Sequence, residues 1–184
     1  MANRCEWCTQ DPIYIDYHDN EWGIPAYNEH RLFEMLLLEG AQAGLSWITV
    51  LKKRESYRLA FDNFDAEKIV RYDESKIAEL LQNANIIRNR LKVNAFIRNA
   101  RAYLDLIDKK GAFSPYIWQF VEGEPRINYF RTIADIPEET PESQAMSKDL
   151  KKHGFTFAGA TICYAYMQAC GMVNDHTSVC FKAP

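Results

Sequence analysis

Two clusters of metal-ligating residues stand near opposite ends of this 184-residue chain. RCEWC supplies Cys5 and Cys8, YIDYHDN supplies His18, and VNDHTSVC supplies His176 and Cys180. Thiolate sulfur and imidazole nitrogen are ligands that Zn²⁺ favours, and four of them in a tetrahedron make a closed, structural site. Two thiolates also balance the charge of the ion. A Cys2His2 set drawn from both ends would clip together two segments that otherwise fray. Structural zinc binds small peptides with a free energy on the order of 10 kcal/mol, enough to order two tails. Spacing leaves the ligand set open. Cys5 and Cys8 form a C-x-x-C pair that competes with His18, and the intervals match no local zinc-finger pattern. Cys163 and Cys170 fall in an apolar helical pattern and read as core thiols.

A second chemical candidate lies in RLFEMLLLEGAQAGLSW. Leu32, Met35, Leu36 and Glu39 share one helix face by their spacing, so Glu39 continues an apolar stripe. Burying an unpaired carboxylate is costly. The last turn of a helix adds to that cost, because the dipole there disfavours negative charge. Glu39 therefore either turns to solvent at the helix end or is held ready for a cationic or hydrogen-bonding ligand. Trp7, Tyr14, Tyr17, Trp22 and Trp47 are the aromatic residues that could wall such a pocket. A third candidate is IIRNRLKVNAFIRNAR, Ile86 to Arg101, which holds five basic residues and no acidic one. Backbone N–H groups where one helix ends and the next begins, flanked by Arg and Lys, suit a phosphate. An ordinary solvated helix face has the same composition.

Helices must position these groups. Apolar residues recur at helical spacing over His30 to Ala43, Trp47 to Phe61, Ser75 to Asn83 and Arg90 to Ile107. Phe113 to Val121 reads as a short aromatic helix. Gly123 to Pro141 is a long irregular connection, ending where Thr140 suits an N-cap and Pro141 a first turn. That helix runs to about His153 and stops at Gly154. A last one spans about Gly159 to Cys170. Alternating strand patterns are nearly absent, so the fold class is mostly α. The first twenty-five and last fifteen residues lack clear helical periodicity, and something else must order them. The net charge of −3 provides no global positive field for a polyanion. No apolar run is long enough for a membrane helix, and MANRCEWC has no signal core. The expectation is a cytoplasmic protein whose odd number of cysteines, five, are thiols or ligands.

RCEWCTQDPIYIDYHDNEWG, LFEMLLLEGAQAGLSWITVLKKRESYRLAF, IIRNRLKVNAFIRNARAY and GFTFAGATICYAYMQACGMVNDH together resemble the 3-methyladenine DNA glycosylase I (TAG) family. The resemblance covers nearly the whole chain. It implies a single domain, residues 1–184, with a helix-hairpin-helix helical bundle over about 30–150. A zinc-clasped lobe would form from about 1–25 and 155–184. It implies a structural Zn²⁺ on Cys5, His18, His176 and Cys180, thereby selecting His18 over Cys8. It implies Glu39 as the catalytic pocket carboxylate, with Trp7, Tyr14, Tyr17, Trp22 and Trp47 also binding the flipped base. Gly44, Leu45, Asn85, Arg88, Arg90 and Lys92 would contact DNA. The implied activity is excision of 3-methyladenine from double-stranded DNA carrying alkylated purines. No lysine is obviously placed for Schiff-base chemistry, so a monofunctional enzyme is expected, and a monomer with no membrane partner. A zinc-stabilised protein that binds damaged DNA without cutting it would show the same basic junction and clasp; Glu39 and the aromatic pocket favour an enzyme only weakly. The sequence departs from the family pattern at Cys8 and at Asn85, where the hairpin turn usually has Gly. Asn tolerates the left-handed conformation that such a turn needs.

Overall fold

The computed structural model describes residues 3–184. Its backbone runs α1 (Pro12–Asn20), α2 (Glu29–Gln42), α3 (Trp47–Leu51), α4 (Arg54–Ala60), α5 (Ala66–Ile69), α6 (Glu74–Gln82), α7 (Arg90–Lys110) and α8 (Phe113–Trp118). It continues through β1 (Arg126–Ile127), α9 (Pro141–Lys152), α10 (Ala160–Ala169) and β2 (Val173–Asn174). The mostly α expectation holds. None of the helices is long and apolar enough to cross a membrane, among the described residues.

α2 is the central element. Leu32, Met35, Leu37 and Leu38 are wholly buried, and α3, α7, α8 and α10 pack around it. A helix apolar on most faces has to sit inside, because no side of it favours water. Its first residue also organises a neighbour. Glu29 accepts hydrogen bonds from the backbone N–H groups of Phe113 (2.9 Å) and Ser114 (2.8 Å), which begin α8. α8 has no side-chain cap of its own, so this distant carboxylate satisfies its orphan donors.

Two sequence expectations need correction. Trp47 to Phe61 is not one helix but α3 and α4, separated at Lys52 and Lys53. The break lets Trp47 face one way while Arg54 turns onto buried Glu34 (2.7 Å) and onto Glu21 (2.7 Å). The amino-terminal segment does contain a helix, α1. Its signals are local rather than periodic: Asp11 accepts from Ile13 N–H at 3.1 Å, and Pro12 occupies the first turn. Only Tyr17 and His18 of α1 are buried, too few to form a stripe.

Each end is tied to the rest of the fold, and the last segment also reaches the first. β1 and β2 pair in parallel, Arg126 with Val173 and Ile127 with Asn174. Phe181 N–H donates to the Asn3 carbonyl at 2.8 Å. Arg4 grips Asp19 through both carboxylate oxygens, at 2.8 and 2.6 Å.

Candidate functional site

α1, the end of α2, the start of α3 and α10 meet around a cavity of about 270 Å³. Trp7, Tyr14, Tyr17, Trp22, Glu39 and Trp47 all line it, so the six residues proposed from sequence for the pocket converge. Trp7 stands at the centre of the aromatic wall, 5.1 Å from Tyr14 and 5.0 Å from Trp22 by ring centroid. Tyr17 and Trp47 are 5.4 Å apart. The sequence did not point to Gln42, Gln168 or the segment carrying Ile133, Ile136, Pro137 and Glu138, which also line the cavity. That segment read only as irregular connection, and the two glutamines carry no signal that separates them from surface amides.

Glu39 is 3% exposed, and its Oε2 has no hydrogen-bond partner among the described residues. Burial pushes its carboxyl up to about 8, an effect that Arg31 only partly opposes. The buried Trp47 Nε1 also lacks a partner. The cavity wall therefore carries two buried polar atoms, one on Glu39 and one on Trp47, with no protein partner, among aromatic faces. Native proteins rarely leave such groups unsatisfied, so they point to a ligand.

Cys5, His18, His176 and Cys180 come together behind this wall, with one donor atom from each lying within 4.8 Å of the others. All four are buried. Zinc–ligand bonds of about 2.0–2.3 Å set neighbouring donors roughly 3.3–3.8 Å apart. Cys180 Sγ and His18 Nε2 are 3.4 Å apart. Both imidazoles are oriented from outside. His18 Nδ1 donates to Asp19 Oδ1 at 2.8 Å, and His176 Nδ1 to Asn174 Oδ1 at 2.9 Å. Each ring thereby turns Nε2 toward the cluster, and His176 Nε2 is a buried orphan. This is the outer-shell arrangement that fixes a metal-binding histidine. Cys8 is outside the cluster; its sulfur lies 3.6 Å from the Tyr14 carbonyl. The donor set fits a tetrahedral cation. Gly23 shows how tightly the cluster is packed: a Cβ there would meet His176 Cε1 at 2.7 Å.

Cluster and cavity share a wall. Trp22 lies 4.7 Å from the His176 ring, and Trp7 lies 5.3 Å from that of His18.

The residues expected at DNA divide. Gly44 is exposed with φ +76°, and Leu45 is 41% exposed in the turn after α2. Asn85, Arg88 and Arg90 are exposed around the α6–α7 hairpin. Asn85 is not left-handed. The turn is closed instead by Asn83, whose Oδ1 accepts from Asn85 N–H at 2.9 Å, so no glycine is required. Lys92 differs from its expectation. It is 8% exposed, and its Nζ donates to the carbonyls of Ala41 (2.7 Å) and Ala43 (2.8 Å). The ammonium caps the end of α2, where orphan carbonyls and the dipole favour a cation. It supports the Gly44–Leu45 turn from within and is not presented to a phosphate.

The model of the methyladenine glycosylase family matches residues 7–183. The chain belongs to this family. It is 53% identical over 98% of its length to DNA-3-methyladenine glycosylase 1 of Escherichia coli strain K12, covering 97% of that protein. The glycosylase fold also matches a crystal structure of 3-methyladenine DNA glycosylase I (TAG) with a TM-score of 0.97 and 53% identity. That match spans 99% of this chain and 100% of the other. A single-residue variant of TAG solved in complex with 3-methyladenine matches with a TM-score of 0.94 and 36% identity, over 99% and 98% of the two chains. The aromatic cavity and the Cys/His cluster thus belong to a methyladenine glycosylase.

Proposed function

We propose that this protein removes 3-methyladenine from alkylated double-stranded DNA, with Glu39 in its aromatic cavity as the group that receives the base. The observation that carries this reading is the unpartnered Glu39 carboxylate oxygen, buried among aromatic rings. The target base must leave the stack to reach any cavity. Leu45 would fill the gap it leaves, and Gly44 would allow the backbone close approach. Arg88, Arg90, Asn85 and the first N–H groups of α7 would hold the phosphates.

Methylation at N3 makes the adenine of a nucleotide cationic. A cation stacked on an indole is favoured by about 1–2 kcal/mol when desolvated, and it also offsets the cost of burying Glu39. Neutral adenine offers neither gain. Trp47 and Trp7 supply the faces, and Tyr17 and Glu39 meet the polar edge. The cationic base is a good leaving group. Water adds to C1′, the glycosidic electron pair returns to the base and neutralises it, and one water proton goes to solvent. Glu39 binds the base and stabilises the developing charge. No lysine lines the cavity among the described residues, which supports hydrolysis to an abasic site without a Schiff base.

We also propose that Cys5, His18, His176 and Cys180 hold a structural Zn²⁺. With four protein ligands the ion has no open position, and its role is to tie the two terminal segments behind the cavity.

Chromatography of bases released from methylated duplex DNA tests the activity. A 3-methyladenine peak is expected; binding to that DNA with no release would instead support a damage-binding protein. The DNA assignments predict distinct salt behaviour. Arg88→Ala should lower the slope of log affinity against log salt by about one phosphate contact. Lys92→Met should leave that slope unchanged and lower stability by about 1–3 kcal/mol, through two uncapped carbonyls. A reduced slope for Lys92→Met would return Lys92 to the phosphate contacts.

A further inference from the structure

We infer that Gln168 selects the base, by presenting its Oε1 to the cavity as a second acceptor, and that Asp175 is the positioning residue that fixes this orientation. The inference rests on the base-binding reading above. Gln168 lies on α10 and lines the same cavity as Glu39. Its Nε2 donates to Asp175 Oδ2 at 2.8 Å. Asp175 is wholly buried and receives two further donors, Tyr164 Oη at 2.6 Å and Asn128 Nδ2 at 2.7 Å. A carboxylate side offers acceptors only, so the amide nitrogen must face it. Were the amide flipped, two acceptors would confront each other in a buried place. The amide oxygen is therefore turned away from Asp175, and it is not among the buried atoms sealed off without a partner, so a ligand can reach it. The backbone is pinned as well: the Gln168 carbonyl accepts from Gly23 N–H at 2.9 Å, beside Trp22.

A buried network of three donors on one carboxylate is more than a half-buried amide needs in order to stay in place. Its consequence is to remove one of the two ways in which a glutamine can read a ligand. With Glu39 in the ionised form that receives the cationic base and Gln168 oriented by Asp175, both side chains accept, and the cavity matches an exocyclic amino group, which has two N–H donors. The C6 amino group of 3-methyladenine fits. The C6 carbonyl of 3-methylguanine would face acceptors and is disfavoured. Sites built to hydrogen-bond one group reject an analogue lacking it far more strongly than apolar sites can.

The test compares release of 3-methyladenine and 3-methylguanine from one alkylated duplex under single-turnover conditions, with zinc content and melting temperature measured for each protein. Gln168→Met keeps the side chain's length and removes the acceptor. It should lower the 3-methyladenine to 3-methylguanine rate ratio at least about tenfold. Asp175→Asn, which can donate to Oε1 and let the amide turn, should move the ratio the same way. A general loss of packing would slow both bases alike and leave the ratio in place. An unchanged ratio in Gln168→Met overturns the inference whatever Asp175→Asn does, including if the latter fails to fold or to hold zinc. If the wild-type protein releases neither base, the glycosylase reading itself fails, and that outcome is distinct.

Discussion

Glu39→Gln is expected to abolish 3-methyladenine release while raising the melting temperature. Both effects follow from one fact. The carboxyl is held at about 8 by burial, against an ordinary value of 4.5. A carboxyl raised in the folded state costs stability above its unfolded pKa, because folding must then either take up a proton or bury a charge. The cost is absent below about pH 4.5, grows as pH rises and levels off above about pH 8. At pH 7 it is on the order of 3 kcal/mol before relaxation. For a chain of this size that corresponds to a gain of several degrees on substitution, at about 2–4 °C per kcal/mol. Calorimetry of the two proteins at pH 5 and pH 8 should show the wider gap at pH 8. Wild-type kcat/KM should rise with pH to half its maximum near pH 8 and level off above that, as the free enzyme's carboxyl loses its proton and becomes able to receive a cationic base. A Glu39→Gln protein that still excises the base, or whose melting gap is the same at both pH values, would remove Glu39 from the role given to it.

Removing the metal should damage the base site as well as the clasp. The His18 and His176 rings abut Trp7 and Trp22, and both tryptophans line the cavity. Cys180→Ser, or chelation of the wild type, is expected to release zinc and lower the melting temperature by more than about 10 °C, given the several kcal/mol that such an ion contributes. It should also weaken binding of free 3-methyladenine, followed by tryptophan fluorescence. Proteolysis should begin at the two terminal segments, which would then be held only by hydrogen bonds and ion pairs such as Phe181–Asn3, β1–β2 and Arg4–Asp19. Zinc loss with unchanged melting temperature and base affinity would contradict both the clasp and its link to the cavity. Cys8→Ser provides the control, since Cys8 lies outside the four-residue cluster and should leave zinc content intact.

The sequence by itself determined the helical class, because apolar periodicity of α2, α7 and α9 depends only on which side chains favour water. The phase of α2 also marked Glu39 as anomalous, a carboxylate continuing an apolar stripe, but its burial was settled by the packing of α2 and its catalytic role was named only by the family resemblance. The aromatic set and the four ligands were legible by residue type, although choosing His18 over Cys8 needed the family resemblance. Tertiary structure decided what depends on the partner rather than on the residue. Lys92 reads as a phosphate contact in a basic run, but α7 packs it against the end of α2, where two carbonyls claim its ammonium. Asn85 reads as a left-handed turn residue, but Asn83 closes the turn and removes that need. α1 has capping signals and no stripe, because only two of its side chains are buried, Tyr17 beside the cavity and His18 in the Cys/His cluster. Gln168 is an ordinary amide in sequence. Only the fold turns Asp175 back onto α10 beside it and brings Asn128 from far along the chain to the same carboxylate, so the direction of the amide is set by packing that the local sequence does not show.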